Sequence, residues 1–156
     1  MIQLNITALV ELTRLFLPEM QERKSGGIIN VSSIGGFQPL PYMSVYGATK
    51  AFVLSFSEAL WAENQDSGVK ILALCPGPTE SNFFQKAEFP ISGGGSSMQQ
   101  LTSAEEVVKD ALQALEKNQS NLVTGGFLNQ FIVNSSRFLP RETLVSAVEK
   151  QFKSLN

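Results

Sequence analysis

Two short apolar runs, Ile28-Ile29-Asn30-Val31 and Val69-Lys70-Ile71-Leu72-Ala73-Leu74-Cys75, constrain this chain more than any other feature. Both are rich in branched side chains and lack strict polar alternation, the pattern of a strand buried on both faces. The first continues through Ser32-Ser33 into Gly35-Gly36, which predicts a strand opening into a flexible loop, followed by Pro39 and Pro41. The second is stopped by Pro76-Gly77-Pro78, because proline cannot donate to a ladder. Between them, residues 45–64 place Ala48, Ala51, Phe52, Leu54, Phe56, Ala59 and Leu60 on a broad apolar helical surface, closed by Asp66-Ser67-Gly68. A strand, a helix and a second strand, both strands apolar, call for parallel pairing with helices covering the sheet.

The rest of the chain extends this alternation. Residues 2–23 carry Ile2, Ile6, Leu9, Val10, Thr13, Phe16, Leu17 and Met20 at helical spacing and lead to Ser25-Gly26-Gly27, read as a glycine stop. Residues 82–100 contain Phe83, Phe84 and Phe89 and then Ser92-Gly93-Gly94-Gly95-Ser96-Ser97, the composition of a mobile lid; the phenylalanines either cover an apolar substrate or anchor the segment. Ser103 with Glu106 three residues later matches a capping box opening a helix to about Lys117. Asn121-Leu122-Val123-Thr124 before Gly125-Gly126 predicts a short third strand, and residues 127–139 and 141–154 two terminal helices separated by Pro140. The expected fold class is therefore α/β, one domain over 1–156 with about three parallel strands and flanking helices. Ligands of such sheets bind beyond the carboxyl ends of the strands, which directs attention to the loops after Ser33, Cys75 and Thr124.

Composition narrows the chemistry. The chain has 156 residues, 43% of them hydrophobic, and a net charge of -2, enough for a core and without the basic footprint of a nucleic-acid or acidic-membrane partner. No membrane span is expected, since Glu11 and Arg14 interrupt the apolar N-terminal stretch. The single cysteine, Cys75, excludes an internal disulfide and a cysteine-based zinc site and is compatible with a cytoplasmic setting. There is no histidine, so proton transfer falls to Tyr, Lys, Asp, Glu or the one thiol. No metal site is expected.

Tyr46 and Lys50 stand at i and i+4, on one face of the second helix and one turn apart. An ammonium so placed favours the phenolate and is expected to pull the tyrosine below its usual pKa of ~10. Thirteen residues before Tyr46, Ser33 ends the first strand. A hydroxyl there can hydrogen-bond a carbonyl oxygen while Tyr46 gives it a proton. Such a group suits the interconversion of a carbonyl and an alcohol, with hydride from a cofactor because no side chain supplies it. Ser32 is the alternative hydroxyl, Tyr42 either reaches the substrate or is an ordinary packing or solvent-facing residue, Trp61 reads as core or interface, and Cys75 as an inert buried thiol at a strand end.

The segment Asn30-Val31-Ser32-Ser33, the Tyr46-x-x-x-Lys50 pair at that interval and Cys75-Pro76-Gly77-Pro78-Thr79 together resemble the short-chain dehydrogenase/reductase family, from the first helix to at least Ser81. The resemblance implies a Rossmann-like doubly wound parallel sheet, here partial, and NAD or NADP as cofactor. It implies Tyr46 as general acid/base, Lys50 lowering its pKa and bonding the nicotinamide ribose, Ser33 orienting the carbonyl, and Asn5 positioning a relay water. It further implies that Pro76 and Gly77 pack on the nicotinamide while the Thr79 backbone and the Ser81 hydroxyl bond its carboxamide. The family's threonine is replaced by Ser81, a mild change.

The departures bear on activity. No Gly-x-x-x-Gly-x-Gly turn and no Asn-Asn-Ala-Gly segment occur. The chain begins at what resembles the family's fourth helix, so Met1 is expected to be an internal start or a cut end. The expected function is an NAD(P)-dependent oxidoreductase acting on a small-molecule ketone, aldehyde or alcohol, with activity belonging to the complete protein. The alternative is a catalytically incompetent interaction module, a homo-oligomer formed through helices 2–23 and 45–64.

Overall fold

The computed structural model describes residues 1–81, 101–135 and 138–153. The lid expected at 82–100, with Phe83, Phe84 and Phe89, lies outside the described residues. A π-helical turn, Gln3–Thr7, enters helix α1 (Ala8–Glu22). Then come strand β1 (Gly26–Val31), a 3-10 turn (Ile34–Gly36), helix α2 (Ser44–Glu63) and strand β2 (Val69–Cys75). Helix α3 (Ala104–Glu116), strand β3 (Asn121–Val123) and helices α4 (Phe127–Ser135) and α5 (Arg141–Lys153) complete the order. The strands form a parallel sheet in the order β1-β2-β3.

The sheet is covered on both sides because β2 alternates its side chains between two apolar layers. Leu72 and Leu74 pack with Val107, Ala111 and Ala114 of α3. Ala73 and Cys75 face the other way, against Leu54 of α2. This is the expected Rossmann-like α/β arrangement with three strands. Ser103 caps α3 as its spacing predicts, its Oγ accepting from the Glu106 N–H at 3.2 Å. A third cluster was not visible in the sequence: Leu144 and Val148 of α5 pack on Leu40, with Met43 and Tyr46 against them.

Two glycine pairs behave differently from the sequence reading. Gly26 and Gly27 are not a helix stop but the first residues of β1, because a Cβ at Gly26 would meet the Met20 side chain and one at Gly27 the Leu115 side chain. The helix ends at Glu22 with Arg23 as its cap, and Lys24, in the left-handed region at φ 54°, turns the chain out of it. Gly35 and Gly36 form the 3-10 turn rather than a flexible loop. A Cβ on Gly36 would lie 2.8 Å from the Lys50 carbonyl oxygen, so the turn can sit close on α2 only without one.

Backbone polarity follows from one bond. Ser32 N–H donates to Leu74 O, so the even residues of β1 address β2, and the N–H and C=O groups of Gly27, Ile29 and Val31 face the opposite, outer edge. Among the described residues no strand lies there.

Candidate active site

The two serines after β1 have different surroundings. Ser32 is buried, and its Oγ donates to the Lys50 backbone carbonyl at 2.7 Å, fastening α2 to the strand end. Ser33 continues in extended conformation and starts the 3-10 turn, its Oγ accepting from Gly35 N–H at 3.1 Å. Its Oγ and the Tyr46 ring lie 3.5 and 3.7 Å from the point where a Cβ on Gly35 would stand, close enough for the serine to favour the phenolate. Ser33 and Tyr46 thus converge on one spot at the carboxyl edge of the sheet.

Tyr46 lies in the first turn of α2, with Lys50 one turn further on. The Lys50 ammonium is 5.8 Å from the centre of the Tyr46 ring and donates to Val31 O at 2.9 Å. Burial pushes the Tyr46 phenol above the ordinary tyrosine range, opposed by the nearby Ser33 hydroxyl. This is opposite to the shift expected from a cation one turn away. Loss of water around the phenol outweighs other influences, and the ammonium is occupied with the outer-edge carbonyl of β1. Burial likewise lowers Lys50. Cys75 itself is fully buried and pushed up to about 12, chiefly by desolvation, so its thiol stays protonated and unreactive.

Asn5 sits in the π-helical turn, and its Nδ2 donates to Thr49 Oγ1 at 3.0 Å. Thr49 Oγ1 in turn donates to Tyr46 O at 2.8 Å. The amide therefore reaches α2 next to Lys50, through a threonine that the sequence reading did not single out. Thr49 is 2% exposed; a β-branched hydroxyl between two candidate residues was the available signal. Tyr42 is exposed, takes φ 66°, and its hydroxyl faces Glu149 of α5 at 3.5 Å.

The loop after β2 closes the other side. Ile34 N–H donates to Pro76 O at 3.1 Å, joining the Ser33 turn to this loop. Thr79 Oγ1 donates to Gly77 O at 2.9 Å. Backbone bonds from Thr102 N–H to Pro78 O and from Glu80 N–H to Thr102 O brace the segment, which ends at exposed Ser81. The third loop is tied in by Thr124 N–H donating to Cys75 O at 3.3 Å. Ser33, Tyr46, Lys50, Pro76, Gly77 and Thr79 all lie at this one edge. Among the described residues no group of three or more His, Cys, Asp or Glu side chains could hold a metal ion, and no helix is long and apolar enough to cross a membrane.

Comparison with known proteins matches this architecture. Dehydrogenase/reductase SDR family member 7B of Rattus norvegicus is 31% identical over 99% of this chain and 50% of its own length. The 17-beta-hydroxysteroid dehydrogenase type 3 of the same species is 37% identical over 72% of the chain and 34% of its own length. A solved short-chain dehydrogenase from Sphingobium yanoikuyae in complex with NADPH superimposes with a TM-score of 0.71 at 29% identity, covering 93% of this chain and 54% of that one. The chain spans about half the length, or less, of these relatives. The family model described as short chain dehydrogenase matches residues 1–89, more than half of the sequence, and the chain belongs to that oxidoreductase family.

Proposed function

We propose that this chain carries the catalytic part of an NAD(P)-dependent oxidoreductase that interconverts a ketone and a secondary alcohol, with Tyr46 as general acid/base. The observation that carries the reading is the approach of Ser33 Oγ and the Tyr46 ring to one another around Gly35 at the carboxyl edge of the sheet, with the Lys50 ammonium 5.8 Å from the tyrosine ring.

The donor set suits the nicotinamide end of a dinucleotide. Lys50 would hold the ribose hydroxyls. Pro76 and Gly77 would lie against the ring, and the Thr79 backbone and Ser81 hydroxyl would take the carboxamide. The bound cofactor supplies or accepts hydride, and structures of relatives hold NADPH or NADP. The protein's own groups handle the proton. Ser33 Oγ and Tyr46 Oη both hydrogen-bond the substrate oxygen. In the reducing direction the phenol, kept neutral by burial, gives its proton to that oxygen as negative charge builds there. In reverse, the Tyr46 phenolate takes the hydroxyl proton and becomes the phenol. Asn5 supports the helix through Thr49 and, in this proposal, helps return the proton to solvent. Tyr46 is seated against the buried cluster of Leu40, Leu144 and Val148, and the hydroxysteroid dehydrogenase relative favours an apolar ketone as substrate. The lone cysteine, buried as a free thiol, accords with the cytoplasm.

Tyr46→Phe tests the reading: turnover of an apolar ketone with NADPH or NADH is expected to fall by about 10²–10⁴-fold. Unchanged turnover would remove the tyrosine from the chemistry.

A second reading has its own observation. Leu12, Leu15 and Phe16 of α1 and Val45 and Phe52 of α2 are exposed apolar residues, which favours association through these helices. In that reading the chain is a non-catalytic, homo-oligomeric module. Titration with NADH and NADPH separates the two, since the module binds neither.

A further inference from the structure

Helix α4 takes no part in the chemistry above, yet its Asn129 reaches under the site. The side chain is 2% exposed, and its Nδ2 donates to Thr124 O at 2.9 Å and to Gly125 O at 3.1 Å, gathering the loop after β3 onto the helix. The same nitrogen fills the space that a Cβ would need at Gly125 in this loop and at Gly77 in the loop after β2. Gly125 has φ 90°, so its backbone alone calls for glycine. Gly77 has no such φ, and the approach of Asn129 is what excludes a side chain there. Thr124 O also lies 3.1 Å from the position of that Cβ, and Thr124 N–H bonds Cys75 O, immediately before Pro76. One amide therefore fixes the spacing between two carboxyl-edge loops, while Thr102 and Ile34 hold the Pro76–Ser81 loop from its other sides.

We propose that Asn129 is a positioning residue that sets the seat of the Pro76–Ser81 loop, and with it the surface offered to the nicotinamide; the second half of this statement rests on the oxidoreductase reading. With the amide gone, a buried carbonyl, Thr124 O, and a part-buried one, Gly125 O, lose a donor, and the loop gains room to sink toward α4. The effect expected is on cofactor binding, since both carbonyls that Asn129 serves belong to the loop that meets the Pro76–Ser81 segment.

The test is a cycle of Gly77→Ala, Asn129→Ala and the double variant. Unfolding in urea reads the clamp without any ligand. Each single change is expected to destabilise, and the double variant's folding constant should exceed the product of the single effects by about tenfold, because the alanine methyl then occupies vacated space. Additive effects overturn the clamp. Cofactor kinetics read the positioning: Asn129→Ala should raise the KM for NADPH or NADH about tenfold, with kcat within about twofold and an unshifted pH profile. Val133→Ala, on the same helix and also buried, is the control for mere destabilisation. An equal KM rise in both variants overturns the positioning role. If the wild-type chain binds neither dinucleotide, the oxidoreductase reading of the isolated chain fails, and the urea cycle alone decides for or against the clamp.

Discussion

At the scale of single residues, the site is governed by desolvation more than by charge pairing. Tyr46 is held protonated by burial, the form that donates to a carbonyl, so its phenol is ready as an acid at neutral pH and reluctant as a base. The sign follows directly. Ketone reduction should be level through neutral pH and decline only as pH passes above the ordinary tyrosine value of ~10, while alcohol oxidation climbs over the same range. Initial rates in both directions at saturating cofactor check this; an oxidation limb already level at pH 7 would mean that the ammonium of Lys50, and not burial, sets the tyrosine. The adjacent serines should separate cleanly. Ser33→Ala should cut turnover by about 10–10³-fold while changing stability little. Ser32→Ala removes the hydroxyl that fastens the strand end to the Lys50 carbonyl of α2, and should cost about 0.5–1.5 kcal/mol in urea unfolding.

The elements carry those residues by close backbone approach, and here the sequence was legible in part. β2 could be read to the residue, since Val69–Cys75 is apolar almost throughout and ends at a proline. The Tyr46–Lys50 pair followed from helical period alone. The role of Gly36 did not, because the contact that excludes its Cβ is with the carbonyl of Lys50, a residue whose spatial position no local pattern encodes. Gly36→Ala should therefore push the 3-10 turn off α2, costing about 1–3 kcal/mol and lowering turnover with it, because Ser33 begins that turn; a circular-dichroism melt beside a rate measurement reads both. The covering of Tyr46 by Leu144 and Val148 was hidden for the same reason: the i,i+4 pair marks an apolar face, but not its partner nearly a hundred residues upstream. Asn5 shows a further limit. Its place in the first helix was evident, whereas the π-helical turn and the bond to Thr49 depend on how α1 crosses α2.

For the whole molecule, the outer edge of β1 links association to chemistry. The backbone groups of Gly27, Ile29 and Val31 face a groove walled by Leu4, Leu12, Phe16 and Met20, and Leu4, Leu12 and Phe16 are 75%, 55% and 50% exposed. Among the described residues no strand pairs with this edge, and an unpaired edge beside an apolar surface is a template for pairing. The 156-residue chain should thus associate with rising concentration in sedimentation velocity. Leu12→Glu with Phe16→Lys replaces two exposed wall residues by an i,i+4 ion pair that suits the helix, and should weaken association about tenfold or more. A wild-type chain that stays monomeric at ~100 μM would count against the edge as an adhesive surface. Lys50 makes the consequence reach the site, because its ammonium donates to Val31 O on this same edge. A strand paired there competes for that carbonyl and frees the ammonium to act on Tyr46, favouring the phenolate. Paired chains should therefore show the alkaline limb of alcohol oxidation at lower pH than the weakly associating variant, and the comparison needs only the two proteins at one concentration across a pH series. Coincident limbs would show that Lys50 acts on Tyr46 equally whether or not the edge is covered.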